Sequence, residues 1–123
     1  MTERQRIGEA GEQLACQWLE RQGYRILHRN WRHSYHEIDI IAQRTLPGKP
    51  SFLHFVEVKA RRYTPFGNPE DSVTKKKFKN LQKAADEYLF RNTGHQWIQY
   101  DVLSITLHKN GEIDYFLVED VFL

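Results

Sequence analysis

Two acidic residues interrupt apolar runs of the chain. Asp39 lies within the run Ile38–Ile41, Glu57 lies within the run Phe55–Val58, and Lys59 follows. A carboxylate among apolar side chains is costly unless it is paired or bound to a metal, and two carboxylates about 4 Å apart repel by roughly 4 kcal/mol at an effective dielectric constant of 20. A shared proton, a lysine or a divalent cation would offset that repulsion, and carboxylates suit Mg²⁺. The pattern indicates a divalent-cation site, with an ion pair on a half-exposed strand as the alternative.

Two neighbouring strands are expected to position these groups. Strand signals cover Glu37–Ala42 and Phe52–Ala60, and a segment rich in Gly and Pro separates them. Because side chains alternate along a strand, Glu57 and Lys59 point to one face and the flanking valines to the other. A hairpin of the two strands would bring Asp39 towards Glu57.

The remaining elements define the fold class. Helical spacing and stop signals predict two helices, and apolar runs predict three further strands. The predicted elements outside the hairpin are a helix over Glu3–Gln22, a strand over Tyr24–Trp31, a helix over Ser72–Arg91, and strands over Trp97–Leu107 and Ile113–Val118. This order predicts an α/β fold in which helices flank a mixed central sheet. A length of 123 residues suits a single domain over 1–123.

The first helix offers one acidic residue to the same site. Glu12 shares a side of the helix with Ala15 and Leu19, at i+3 and i+7, and therefore borders the buried stripe. Glu9 lines up with Cys16 on the side that we expect to face solvent. The geometry favours Glu12 over Glu9, although an acid near a helix N-terminus is also favoured by the helix dipole alone.

Basic residues are concentrated between Lys59 and Lys83. The basic residues of this segment are Lys59, Arg61, Arg62, Lys75, Lys76, Lys77, Lys79 and Lys83. Only Glu70 and Asp71 oppose them, on a chain whose net charge is +2. A local basic block predicts a polyanion partner, with a solvated lysine-rich helix face as the alternative. Lys77 lies four residues before Leu81, at the edge of the apolar face of the second predicted helix. Its side chain would therefore reach a substrate phosphate or extend over the sheet.

Composition excludes several classes of protein. No apolar run approaches the roughly 20 residues of a membrane helix, and the first residues lack the apolar core of a secretory signal. The single cysteine excludes an internal disulfide and a four-cysteine zinc site. A cytoplasmic protein without a membrane partner is expected. Trp31, Tyr35, Tyr63 and Phe66 border the predicted site, where they would stack on bases or pack in the core.

The acidic residues and their surroundings resemble a known family. The pattern Asp39…Glu57-Val58-Lys59 is similar to the signature of PD-(D/E)xK nucleases, which include restriction-type endonucleases and archaeal Holliday-junction resolvases. Over nearly the whole chain the sequence resembles the small bacterial YraN family, described as resolvase-like. The matching stretches are Gly8–Glu12, Gly23–Tyr24, Arg29–Asn30, Glu37–Ala42, Phe55–Arg61, Phe66–Gly67 and Ser72–Thr74 leading to Lys77. His36 stands where the family usually has glycine, a departure that concerns the local turn.

The resemblance implies a fold, a chemistry and a partner. It implies a restriction-endonuclease-like αβββαβ core and a catalytic site of Glu12, Asp39, Glu57 and Lys59, in which the three acids bind Mg²⁺ or Mn²⁺. The implied activity is metal-dependent hydrolysis of phosphodiester bonds in DNA, with branched or damaged DNA as candidate substrates. The basic residues from Arg61 to Lys83 would bind the nucleic acid. A non-catalytic nucleic-acid-binding module with the same fold is the alternative. A homodimer is compatible with the sequence, although no feature of the sequence requires one.

Overall fold

The chain forms one five-stranded sheet with a helix on each face. A computed structural model describes residues 1–65, 74–95 and 97–121. The elements are α1 (Glu3–Arg21), β1 (Arg25–His33), β2 (His36–Thr45), β3 (Ser51–Arg62), α2 (Lys75–Arg91), β4 (Ile98–Leu107) and β5 (Ile113–Val118). The sheet order is β1-β2-β3-β4-β5. The β3–β4 pair is parallel and the other pairs are antiparallel, so the fold is the predicted α/β class with an αβββαβ core and a late fifth strand.

Local signals define the ends of these elements. Gly23 follows α1 with φ 91°, a left-handed conformation that favours glycine. Thr2 begins the same helix with a capping box, because its hydroxyl accepts from the Gln5 backbone and the Gln5 side chain accepts in return. Thr74 caps α2 and its side chain accepts from the Lys77 N–H. The predicted start of α2 at Ser72 lies outside the described residues.

Each helix covers a different face of the sheet. The core under α1 joins Ala15 and Leu19 to Ile40, Val56 and Leu103. The buried members of the core under α2 are Ile38, Ile41, Leu53, Phe55, Leu81, Ala84, Ala85 and Tyr88. Burial of these side chains stabilises the fold by roughly 25 cal/mol for each Å² of apolar surface removed from water. The predicted separation of Val56 and Val58 from Glu57 and Lys59 is confirmed, since both valines pack in the α1 core.

The helix α1 lies very close to β3. A Cβ placed on Gly11 would overlap the Cβ of Ala60, so only glycine permits this approach. The close contact sets the depth of the following residue, Glu12, which is half-buried, whereas Glu9 one turn earlier is exposed. The backbone approach at Gly11 therefore directs Glu12 towards the sheet.

The prediction for Cys16 was wrong. Its side chain is only 6% exposed and belongs to the α1 core. Arg29 on β1 is close enough to influence the Cys16 thiol, so this side of the helix faces β1. The buried stripe is wider than the spacing of Ala15 and Leu19 indicated, because α1 contacts several strands. Burial raises the pKa of the Cys16 thiol, which disfavours the thiolate.

Neither helix has the character of a membrane span. Within the part of the chain that the structure describes, no helix combines the length and apolar character needed to cross a bilayer.

Candidate active site

The site forms where β2 and β3 separate. The last residue pair between these strands is Ile40 with Val56. Beyond it, the Asp39 Oδ2 accepts a hydrogen bond from the Val58 N–H at 2.8 Å. A side-chain carboxylate therefore takes the position of a strand carbonyl, which satisfies the backbone donor and fixes the carboxylate.

The alternation of side chains in β2 is broken at this point. Ile38 and Ile41 pack in the core under α2, whereas Ile40 packs in the core under α1. Strict alternation would place Ile38 and Ile40 on the same face. The side chains therefore change face between Ile38 and Ile40. Asp39 lies between these two residues, at the gap that opens between β2 and β3.

Three acidic side chains converge at this gap. One carboxylate oxygen of each of Glu12, Glu37 and Asp39 lies within 4.8 Å of the others. Glu37 also pairs with Arg32, whose Nη2 lies 3.0 Å from the Glu37 Oε2. Glu37 therefore has the acids Glu12 and Asp39 on one hand and Arg32 on the other as neighbours.

The environment makes the Asp39 carboxylate unfavourable without a cation. Burial and the nearby charge of Glu57 raise the pKa of Asp39 to about 7, with smaller contributions from Glu12 and Glu37. The hydrogen bond from the Val58 N–H opposes these effects but does not outweigh them. The ionised form of Asp39 is therefore energetically unfavourable in the folded protein, and a bound cation would remove this penalty.

Two lysines face the acidic residues. The Lys59 Nζ lies 3.6 Å from the Glu57 Oε1, and both side chains are largely buried. The nearby positive charge of Lys59 lowers the pKa of Lys77 on α2, with smaller contributions from burial and from Arg4, while Glu57 raises it. Two lysines near one another, of which Lys59 pairs with Glu57, leave positive charge that a phosphate would neutralise.

A cleft brings acidic side chains and Lys77 together. It has a volume of about 250 Å³ and is lined by Tyr35, His36, Glu37, Asp39, Glu57, Lys77, Asn80 and Leu81. The carboxylate donors fit a hard divalent cation, since two oxygens on one Mg²⁺ ion lie at most about 4 Å apart and the three clustered acids approach this separation. The clustered acids are Glu12, Glu37 and Asp39, so of the three predicted ligands Glu57 lies outside this cluster. Glu57 lines the cleft with Asp39, whereas Glu12 does not line it.

The predicted basic residues separate into two groups. Lys59, Arg61 and Arg62 line a groove along the start of α1, where Arg62 pairs with Glu3 at 2.7 Å. Lys77 lines the cleft. All five lysines of α2 are exposed: Lys75, Lys76, Lys77, Lys79 and Lys83. The structure therefore brings Lys59 and Lys77 to the acidic residues and leaves the other lysines of α2 on the solvent side; their predicted contacts with nucleic acid stay a prediction.

The structure places two further groups near the site that the predicted site did not include. Arg4 lines the groove with Lys59 and influences Lys77, but it lies far from both in sequence and carries no motif. Glu37 joins Glu12 and Asp39, and the signal available for it was its position two residues before Asp39. Phe66, which was predicted to border the site, lies outside the described residues.

A second polar cluster lies inside the protein at β3 and β4. The His54 Nδ1 is 2.7 Å from the Asp101 Oδ2, and the two residues are 2% and 0% exposed. Asp101 also accepts from the Gln99 Nε2 at 3.0 Å and from the Asp120 N–H at 3.1 Å. The Asp101 carboxyl group thus has three polar partners, as a buried polar side chain requires.

The fold and the cleft together define the class of protein. A mixed sheet between two helices, with an acidic residue where β2 and β3 part, is a nuclease-like αβββαβ core. The family model described as uncharacterised protein family UPF0102 matches residues 11–105, and the chain belongs to this family. The predicted membership of the YraN family is thereby confirmed.

Individual relatives agree with this assignment. A UPF0102 protein of Flavobacterium johnsoniae is 40% identical over 116 residues, which cover 91% of this chain and 89% of the relative. A UPF0102 protein of Syntrophomonas wolfei is 45% identical over 101 residues, covering 80% and 83%. A UPF0102 protein of Flavobacterium psychrophilum is 38% identical over 123 residues, covering 99% and 98%. The similarity thus extends over the whole chain.

Proposed function

We propose that the protein is a metal-dependent endonuclease that hydrolyses phosphodiester bonds in DNA. The observation that carries the proposal is the cleft in which Asp39 and Glu57 lie opposite Lys77. Carboxylates that share a site at an electrostatic cost are typical of metal centres, and cations beside them are typical of phosphate sites. Both halves of a phosphodiester site are present in one cleft.

Each residue has a distinct part in this proposal. A divalent cation held by Glu12, Asp39 and Glu57 would lower the pKa of a water molecule and offset negative charge on the phosphate. The hydrogen bond from Val58 holds the Asp39 carboxylate in place. Lys59, next to Glu57, would orient the attacking water or stabilise charge on a phosphoryl oxygen, and Lys77 would hold the phosphate of the strand.

A non-catalytic nucleic-acid-binding module is the second candidate. The ion pair between Lys59 and Glu57 favours it, because this pair partly neutralises the cluster without a metal. In that case the basic residues would bind DNA with an affinity that falls as salt rises, but no strand would be cut.

Cleavage of defined DNA substrates separates the two candidates. Purified protein is incubated with end-labelled linear duplex, single-stranded and four-way-junction DNA, with Mg²⁺, Mn²⁺ or chelator. The endonuclease cuts at least one substrate with a metal ion and none with chelator, and Glu57→Gln reduces cutting to the chelator level. The control is Glu9→Gln, which makes the same Glu-to-Gln change at an exposed acid of α1. This control leaves cutting unchanged. Salt-sensitive binding with no cutting under any condition selects the binding module.

A further inference from the structure

Tyr35 stands at the tip of the β1–β2 hairpin beside the acidic cleft. Its side chain is 98% exposed although it lines the same cleft as Asp39 and Glu57. Among the described residues, none makes a ring contact or a hydrogen bond with the Tyr35 side chain. Leaving an aromatic ring of this size in water forgoes a large gain from burial. Its position beside the acidic cleft makes the ring available to a ligand that binds there.

The hairpin holds this ring in a defined place. His33 pairs with His36 at the end of the two strands, so only Ser34 and Tyr35 form the connection. Ser34 has φ 56°, in the left-handed region that tight hairpin turns require. A two-residue connection anchored by paired strands restricts the backbone of Tyr35 and therefore limits the entropy lost when a ligand binds the ring.

The other aromatic residues predicted near the site have partners inside the protein. Trp31 packs edge-on against Tyr88, with ring centroids 5.5 Å apart. Tyr63 stacks on His108 at 4.9 Å. Of these rings, Tyr35 is the one without a ring partner in the described part of the chain.

We propose that Tyr35 stacks on an unpaired base and that the cleft consequently takes single-stranded or forked DNA in preference to intact duplex. Every base has a π-face, but bases within a duplex are already stacked on their neighbours, so only an unpaired base can cover the ring. The base and the phosphate of one nucleotide are covalently joined, so a base on Tyr35 brings its own backbone to the cleft that Lys77 lines. The proposal rests on the endonuclease proposed above and names its substrate class.

A fluorescent base tests this contact directly. Three DNA probes of one sequence carry 2-aminopurine: a single strand, a fork with the probe in the unpaired arm, and a complete duplex. Binding is followed in chelator through 2-aminopurine fluorescence and the anisotropy of a distal dye, and cleavage is followed separately with Mg²⁺. The variants are Tyr35→Ala, Tyr35→Phe and, as a matched control, Phe90→Ala, since Phe90 is 81% exposed and does not line the cleft.

The expected results differ between substrates. Tyr35→Ala weakens binding to the single strand and the fork by about 5- to 150-fold, the range for loss of one base–aromatic stack, and changes duplex binding by less than about twofold. Tyr35→Phe retains the affinity and the fluorescence change of the wild type, because the ring is kept. Phe90→Ala behaves as the wild type. The cleavage preference for the fork over the duplex is lost in Tyr35→Ala alone.

Two results overturn the proposal in different ways. If the wild type binds and cuts DNA but Tyr35→Ala changes all three probes equally or not at all, Tyr35 is not a stacking residue and the endonuclease proposal stands. If the wild type and Phe90→Ala neither bind nor cut any probe, the endonuclease proposal fails and the stacking proposal fails with it.

Discussion

Replacing Asp39 by Asn removes a charge that the folded protein tolerates poorly. The Asn side chain keeps an oxygen that accepts the hydrogen bond from the Val58 N–H, and it no longer repels Glu57. In the absence of metal we therefore expect Asp39→Asn to be more stable than the wild type at pH 8. The usual result of disturbing a structural ion pair is the opposite, a loss of about 3–5 kcal/mol.

The size of the gain follows from the pKa of Asp39. The pKa is about 7 in the folded protein and 3.8 for an unperturbed aspartic acid side chain. Because the folded-state pKa is raised, the folded protein holds the proton more tightly, and its stability falls as pH rises from about 4 to about 7. Between pH 5 and pH 8 this linkage costs the wild type about 2–3 kcal/mol, and Asp39→Asn does not undergo this loss.

Urea unfolding of both proteins at pH 5 and pH 8, in chelator, measures the effect. The titrations of all other groups are common to both proteins and largely cancel in the difference between them. The free energy of unfolding of Asp39→Asn relative to the wild type should rise by about 2–3 kcal/mol from pH 5 to pH 8. A constant difference across this range, or an Asn variant that is destabilised by several kcal/mol at pH 8, would refute the electrostatic argument.

Three further changes test the contacts around the site. Gly11→Ala should lower stability by about 1–3 kcal/mol through overpacking. Gly8→Ala, with open space at its Cβ, should raise stability by about 0.5–1 kcal/mol. Equal shifts of the thermal unfolding temperature in the two variants would contradict the close approach of α1 to β3. Lys77→Ala should reduce the slope of log affinity for DNA against log salt by about one, and Lys49→Ala, in the turn after β2, should not. Asp101→Ala should cost about 3–5 kcal/mol in urea unfolding, because it leaves its buried histidine partner unpaired; a cost below about 1 kcal/mol would show that the pair is dispensable.

Features with a local cause could be predicted from the sequence. The opposite faces of Glu57 and Val58 follow from the two-residue period of a strand, and the core clusters confirm them. The end of α1 follows from Gly23, and the β4–β5 turn from Gly111, both of which have positive φ. The choice of Glu12 over Glu9 rested on helical spacing alone, and Glu12 is the one of the two that lies near Asp39.

Features that depend on packing could not be predicted. Whether Cys16 is buried depends on how many strands α1 crosses, which no local period specifies. The place of Glu37 beside Glu12 depends on where the β2–β3 ladder ends. The His54–Asp101 pair joins residues 47 positions apart through the parallel register of β3 and β4, and that register is set by the α2 crossover rather than by either strand.

Binding of Mn²⁺ tests the central claim, that the acidic cleft is a divalent-cation site, most directly. Free Mn²⁺ is measured by electron paramagnetic resonance while the wild type, Asp39→Asn and Glu9→Gln are titrated at pH 8. We predict one or two ions bound by the wild type and by Glu9→Gln, and a loss of at least about tenfold in affinity in Asp39→Asn, since a cation site of this kind depends on the charge count of its carboxylates. Equal binding by all three proteins, or no binding by the wild type, would contradict the account.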